Sequence, residues 1–591
     1  MKDLFKNIFV KRFNIPKAQS IENTVSRFSL TEKVIFYFFA VALSVSTLSL
    51  LWQINGAFMV IVPARGGTLS EGVIGLPRFI NPILAISDAD RDLTALTYSG
   101  LLKPIDNGTL VPNLAESYSI SEDGLTYTFV LKKGLTFHDG SPITADDVVF
   151  TIGKAQDPTL KSPKRANWEG VQVEKVNDYQ VKLTLKQPYS PFLENTTLGI
   201  LPKHIWNDIT GEEFQFSKFN TEPIGSGPYT IKSISKNSAG IPLSYNLESF
   251  NKYVFGEPLI KNLILHFYQN SNNVLNALNN KSIESVAGIS PQQVTVIQDS
   301  DAQIERTPLP RIFALFFNQN QAPVLANKEV RDALNTVINK ESIVENVLLG
   351  EGIAIDSPIP PGLIQKSSSA SAPLAVIYKS NVERIAAAKN ILEKAGWKFN
   401  EEKNVYEKTV KKVVTPLAFS ISTSDAPELK AVALMIKDMG ESLGAQIEVK
   451  IFDIGELNQN VIRPRKYDSL LFGEIIGRDL DLFAFWHSSQ RNDPGLNVAL
   501  YTNAQADKLL EDTRTIADRE IRLEKYGELE KEIVESVPAI FIYSPDFLYV
   551  VPKTLQGFSM GLITTPAERF MNVEKWYVET ESVWKIFAKK Q

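Results

Sequence analysis

Apolar and polar residues along this chain alternate with two periods, and each period predicts its own elements. Leu125, Tyr127, Phe129 and Leu131 alternate with Thr126, Thr128 and Val130, the spacing of a half-buried strand. Lys132-Lys133-Gly134 then turns the chain, Leu135 to Phe137 is expected to pair back against that strand, and Asp139-Gly140 makes a second turn. Thr144 and Asp147 have the spacing of a capping box, which predicts a helix through Val148, Val149, Phe150 and Ile152. Val181 to Leu185 and Leu263 to Phe267 read as further strands, and Asn273 to Asn279 as a helix. Val330, Leu334, Val337 and Ile338 form one apolar stripe at helical spacing. Beyond it, Leu417 to Ile421 is a strand, Pro427 to Leu443 a helix closed by Gly444, and Ile447, Val449 and Ile451 a strand again. That is a βαβ unit, whose crossover is right-handed. A second helix, Val382 to Ala395, stops at Gly396, and Lys366 to Pro373 between these parts reads as a flexible loop.

One run has neither period. Val34 to Trp52 carries no charge, and at 1.5 Å per residue it matches a hydrocarbon layer of ~30 Å. Ser29 and Glu32 have capping-box spacing just ahead of it. The head before it holds seven basic and three acidic residues, net +4, and the next charge is Arg65. This asymmetry places the head in the cytoplasm and the rest outside. The expectation is a cytoplasmic head (1–33), a single-pass anchor (34–52) and a tether (53–65). A cleaved leader is the competing reading, with Val62-Pro63-Ala64 as a small-residue site distant from the apolar run.

At 591 residues the chain is too long for one core, so two or more lobes are expected. Cysteine is absent, which excludes disulfides, thiolate chemistry and a lipid-modified cysteine anchor. The overall charge of −5 leaves −9 beyond the head, so no nucleic-acid partner is expected. The four histidines (138, 204, 266, 487) are dispersed, and no HExxH, GxSxG or GxxxxGK[ST] occurs. No enzyme, no cofactor and no metal site are expected.

Several blocks, in order, resemble one family. They are Leu114 to Phe129 with Phe137 to Phe150, Tyr98 to Leu102, Pro223-Ile-Gly-Ser-Gly-Pro-Tyr229, Phe250 to Tyr253, Phe317-Asn318 and Lys328 to Leu334. Together they resemble the extracytoplasmic solute-binding proteins of ABC importers in family 5, which captures oligopeptides, dipeptides and nickel. The resemblance implies an α/β, two-lobed periplasmic-binding-protein-like fold (type II, cluster C) with an inserted sub-lobe, here preceded by one N-terminal transmembrane helix. It implies a first lobe over 66–308 with the sub-lobe near 98–178, a second lobe over 309–545, and a return to the first over 546–591. It further implies hinge closure over a peptide or other small solute, delivery to an ABC permease and its ATPase, and an extracytoplasmic body bound to the membrane through its N-terminal helix. A tethered receptor using the same fold without transport is the alternative.

The candidate site is Gly473 to Gln490, which follows the strand Ser469 to Phe472 and so lies at a carboxyl edge of the sheet, where ligands favour binding. It mixes Glu474, Arg478, Asp479 and Asp481 with Phe483, Trp486 and His487, the polar and aromatic blend of a recognition pocket. The same residues also read as a helix cap (Asp479, Asp481) and as core aromatics (Phe483, Trp486). In peptide-binding members an aspartate ahead of a DPD-like segment, here Asp479-Leu-Asp481, holds the peptide's ammonium group. Counted without gaps that position is Ile476, leaving Asp479 or Glu474 as substitutes, while Arg478 suits a carboxylate. The family's cleft also implies a second surface at Arg78, Phe79 and Asn81. A bare nickel ion lacks a histidine cluster here, although a chelate does not require one.

Overall fold

A computed structural model describes residues 18–298, 301–364, 378 and 380–587. Most of the head and the loop 366–373 lie outside them. The chain divides into two compact units: the residues up to Ala64 together with those from Glu579 on, and the body Arg65–Val578.

In the body, a mixed sheet runs through the strands Gln446–Phe452, Ala418–Ser424, Ser469–Ile475, Arg311–Phe317 and Ala539–Pro552. It continues through Ser285–Ala287, Gly66–Ile74, Ile260–Tyr268, Pro242–Ser249 and Tyr229–Lys236. The long strand Ala539–Pro552 belongs to both halves. Its first part pairs with Arg311–Phe317, in register from Phe316↔Ala539 to Phe313↔Tyr543. Its second part pairs with Ala302–Pro308, from Pro308↔Asp546 to Ala302↔Pro552. Two backbone segments, at 309–310 and 544–545, therefore join the halves. Each half is covered by its own apolar clusters, as expected of two lobes on a hinge.

The local signals explain the elements. Tyr127, Phe129 and Leu131 are 3%, 0% and 2% exposed while the residues between them face outward. Burial of each such side chain stabilises by about 1.5–3 kcal/mol. Thr144 and Asp147 close the predicted box on the helix Ala145–Gln156, and the helix Pro427–Leu443 ends on Gly444 at φ 103°. The strands flanking that helix are parallel neighbours.

Four expectations require correction. Leu135–Phe137 does not pair with Thr126–Leu131, whose neighbours are Ala115–Ile120 and Gln180–Thr184. Thr136 instead bridges Pro142 across the Asp139-Gly140 turn. The inserted sub-lobe extends past 178, because Gln180–Thr184 completes its four-stranded sheet and its core continues to Phe214. The apolar helix is Leu30–Phe58, capped by Ser29 and Glu32, so the first residues of the expected tether are helical. The return does not run to the end of the chain: Thr580–Trp584 pairs with Met59–Pro63, register Met59↔Trp584 to Pro63↔Thr580. The β-branched run Val60-Ile-Val62 favours that extended form.

Candidate functional site

The strand Ser469–Ile475 ends beside the hinge, where the Ile476 N–H donates to the Pro310 carbonyl (2.8 Å). Ile476 is fully buried in the apolar cluster of the second lobe. A turn follows, closed by the Leu480 N–H to the Gly477 carbonyl, with Leu480 buried at φ 56°. A left-handed leucine is strained by about 1 kcal/mol or more. Arg478, Asp479 and Asp481 flank it, and the first and last of them reach groups of the other lobe.

Arg478 is the centre of that contact. Its side chain is 4% exposed and bridges Glu194 at 2.7 Å and Glu568 at 2.5 Å. Glu568 is held by the Thr564 N–H and hydroxyl. Asp481 accepts two hydrogen bonds from Arg514 (2.9 and 2.6 Å) and one from the Tyr189 hydroxyl (3.0 Å). The Ser190 N–H and hydroxyl donate to the carbonyls of Arg514 and Ile516. Tyr189, Ser190 and Glu194 follow the sub-lobe sheet, so the second lobe grips the first through charge-assisted bonds. The seam is closed.

Between these pairs sits Asp479. It keeps a partly exposed edge, but its Oδ2 is shut from solvent with no partner among the described residues. Burial, and next the charge of Glu194, push its pKa up to about 8. Burial also raises Glu194, which Arg478 pulls down and Glu568 pushes up. Glu474 is different. Its carboxyl shares a strand face with Leu470 and Phe472, neither oxygen has a partner among the described residues, and burial raises its pKa well above the usual range. Burial inside the second lobe favours its neutral form.

The remaining predicted residues separate. Phe483 carries the Arg514 guanidinium 3.9 Å from its ring centroid and stacks on His487 at 4.1 Å. His487 also contacts Ser489 at 2.7 Å. Trp486 is fully buried among Phe316, Tyr501 and Phe541. Asn81 is fully buried, donating to Asn220 and accepting from the Ile83 N–H. Arg78 is exposed, with its guanidinium 5.5 Å from the ring centroid of Phe79, which packs on the sub-lobe core. Among the described residues no hydrogen bond or ion pair joins Arg78, Phe79 or Asn81 to Gly473–Gln490. The loop's continuation does reach the site, because Pro82 and Ala85 line the cavity described next.

Glu194 and Glu568 both line a cavity of about 390 Å³ in the first lobe, together with Lys164, Arg91, Tyr98 and Asn113. Four of its lining residues carry buried polar atoms without a protein partner among the described residues: Thr94 Oγ1, Tyr98 OH, Asn113 Oδ1 and Glu194 Oε2. Each such atom costs about 1–3 kcal/mol unless water or a solute satisfies it. Sequence reasoning missed Tyr189, Glu194, Arg514 and Glu568. They lie 33 to 292 residues from their partners, and no local spacing marks them.

Two lobes on two crossing segments, with a chamber of unpartnered polar atoms in the first whose wall residues Glu194 and Glu568 meet Arg478 of the second, fit a binding protein of the solute-capturing class. Residues 109–495 match the bacterial extracellular solute-binding proteins, family 5 (middle), and the chain belongs to that family. It is 28% identical over 522 residues to the oligopeptide-binding protein AppA of Bacillus subtilis, covering 87% of this chain and 92% of that one. The substrate-binding protein CtaP of Listeria monocytogenes superposes with a TM-score of 0.71 at 28% identity, covering 87% of this chain and all of that one. NikZ of Campylobacter jejuni, in complex with Ni(L-His), gives 0.66 at 28% identity over 86% of this chain and 99% of that one.

Proposed function

We propose that this protein is the membrane-held solute receptor of an ABC importer. It captures peptides or similar small solutes between its lobes by hinge closure and passes them to a permease and its ATPase. The observation that carries the reading is Arg478, which reaches from the second lobe to Glu194 and Glu568 on the chamber wall. The arginine binds its acids only when the lobes are shut. A ligand favours that state by its differential affinity for it. The chamber carries both charge signs, Lys164 and Arg91 against Glu194 and Glu568, as a zwitterionic solute requires. The oligopeptide name of the Bacillus relative and the nickel–histidine complex of the Campylobacter neighbour mark the range of solutes to test.

The helix Leu30–Phe58 is long and apolar enough to cross a membrane, and it serves here as an uncleaved anchor with the body outside. The pairing of Met59–Pro63 with Thr580–Trp584 supports retention, since a leader lost at Ala64 takes one strand of that ribbon with it.

The test is native mass spectrometry of the full chain purified in detergent without refolding, followed by release and identification of bound material. A ladder of short peptides is expected. A single non-peptide compound or a metal chelate overturns the peptide reading, and an N-terminus beginning after Ala64 overturns the anchor.

A further inference from the structure

We propose that the terminal ribbon is a second membrane-contacting element, seated in the outer interfacial layer of the bilayer. Phe58, Ile61, Trp584, Ile586 and Phe587 are its lipid-facing residues. This rests on the anchor reading above and adds the protein's C-terminal strand to it.

The first argument is polarity along the ribbon. Away from the helix it carries Glu579, Thr580, Glu581 and Ser582, opposite Pro63, Val62 and Ile61. Next to the helix it carries Val583 and Trp584, opposite Val60 and Met59. Ile586 and Phe587 follow, 75% and 73% exposed, and Ile61 is 74% exposed. Acidic charge thus stops short of the apolar helix, and the one charge at the helix end among the described residues is Lys585, whose apolar stem lets its ammonium reach headgroups or water.

The second argument is how Trp584 is fixed. Its ring stacks on Phe58 with centroids 6.3 Å apart, and its Nε1–H donates to Asn55 Oδ1 at 2.7 Å. The Lys585 N–H donates to the Phe58 carbonyl and the Phe587 N–H to that of Trp584, both at 2.8 Å. An apolar ring with its one polar atom satisfied suits the headgroup level, where tryptophan is enriched.

The third is length. A hydrocarbon core needs about 20 helical residues, which from Lys33 ends near residue 53. Asn55 and Phe58 then lie one turn further, on the order of 3–8 Å into the interface at 1.5 Å per residue. The strand that Trp584 ends is attached at that depth.

The chain has no cysteine, so single cysteines carry an environment-sensitive fluorophore without background. Phe587→Cys, Ser44→Cys in the helix and Ser238→Cys on the body are each labelled in the full chain. Each is reconstituted in phosphatidylcholine–phosphatidylglycerol vesicles containing lipids with a nitroxide near the headgroup or deep in the acyl chain. The label at 587 is expected to shift to the blue and lose most intensity to the shallow nitroxide. The label at 44 should lose most to the deep one, and the label at 238 to neither. Quenching at 44 without any at 587 overturns the ribbon's role and leaves the anchor standing. No quenching at either overturns both. A blue shift at 587 insensitive to both nitroxides overturns lipid contact in favour of a protein surface.

Discussion

Among its described residues the body contains two triads of one arginine between two carboxylates, oppositely placed. Arg569 pairs with Glu71 (2.6 and 2.8 Å) and Asp92 (2.6 and 2.7 Å), and all three side chains are at most 3% exposed. The Tyr549 hydroxyl adds a bond to Glu71. This triad ties the strand Gly66–Ile74, the helix Asp88–Thr97, the hinge strand and the C-terminal return of one lobe into one block. Arg478 pairs with Glu194 and Glu568, but the arginine comes from one lobe and both acids from the other. The acids keep 28% and 19% exposure. The first triad cannot come apart without opening a core, whereas the hinge closure proposed above has the second separate when the lobes open. Arginine–carboxylate pairing thus serves the fold in one place and, on the proposed hinge closure, a conformational equilibrium in the other.

The largest expected effect breaks the first triad. Burial raises Glu71 and Asp92 even against the pull of Arg569, while those acids keep Arg569 charged despite its burial. Arg569→Met leaves two buried acids without their cation and should cost about 3–5 kcal/mol of stability. Urea unfolding measures it. An unchanged midpoint would mean that this triad does not hold the lobe.

Arg478→Ala should behave differently. Its loss leaves acids that can turn toward water in an open form, so the unfolding midpoint should move little. Affinity for the native solute, by calorimetry, should fall by about 2 kcal/mol, roughly 30-fold, as for truncation of a buried interfacial charge pair. A large fall in the unfolding midpoint with unchanged affinity would reverse the assignment and make the two triads equivalent.

The elements of this contrast were unequally legible in the sequence. Period and cap signals placed Thr126–Leu131, Ala145–Gln156 and Pro427–Leu443, because each depends on neighbours within a few residues. The segment 473–490 was found as polar groups at a strand end, and Arg478 and Asp481 do engage the other lobe. What they engage was not legible, since Glu194 and Tyr189 lie 284 and 292 residues away. Leu135–Phe137 misled because three alternating residues fit a hairpin, yet Gln180–Thr184 provided the longer partner for the strand at Thr126. Asn81 and Trp486 carry the residue types of a binding surface but are buried with structural neighbours. Composition alone does not separate those two uses. The terminal ribbon joins segments more than 500 residues apart, beyond any periodicity.

The smallest expected effect sharpens the contrast by titration. Asp479 lies on the seam, and burial with the nearby charge of Glu194 raises its pKa from 3.8 to about 8. Glu194 belongs to the opposite lobe, so opening removes that charge and rehydrates the carboxyl, and the pKa falls back toward its ordinary value. Closure therefore takes up a proton. An acid raised in the closed form favours closure fully below its open-form pKa, and the preference is lost as pH rises toward about 8. Groups facing it bear on the size of the effect: Arg478 and Arg522 lower the pKa, while Glu194 and Asp481 raise it. Because Asp479 keeps a partly exposed edge, solvent screening reduces the effect, and a change below about tenfold in affinity (under 1.4 kcal/mol) is expected between pH 5 and pH 9. Asp479→Asn, which is neutral at every pH, should flatten this part of the profile and retain the low-pH affinity. Glu474→Gln should leave the profile's shape intact, since Glu474 is sealed within one lobe with no partner across the seam among the described residues. If Asp479→Asn keeps the wild-type pH dependence, the seam carboxyl is no different from the buried acids beside Arg569. The distinction would then rest on Arg478 alone.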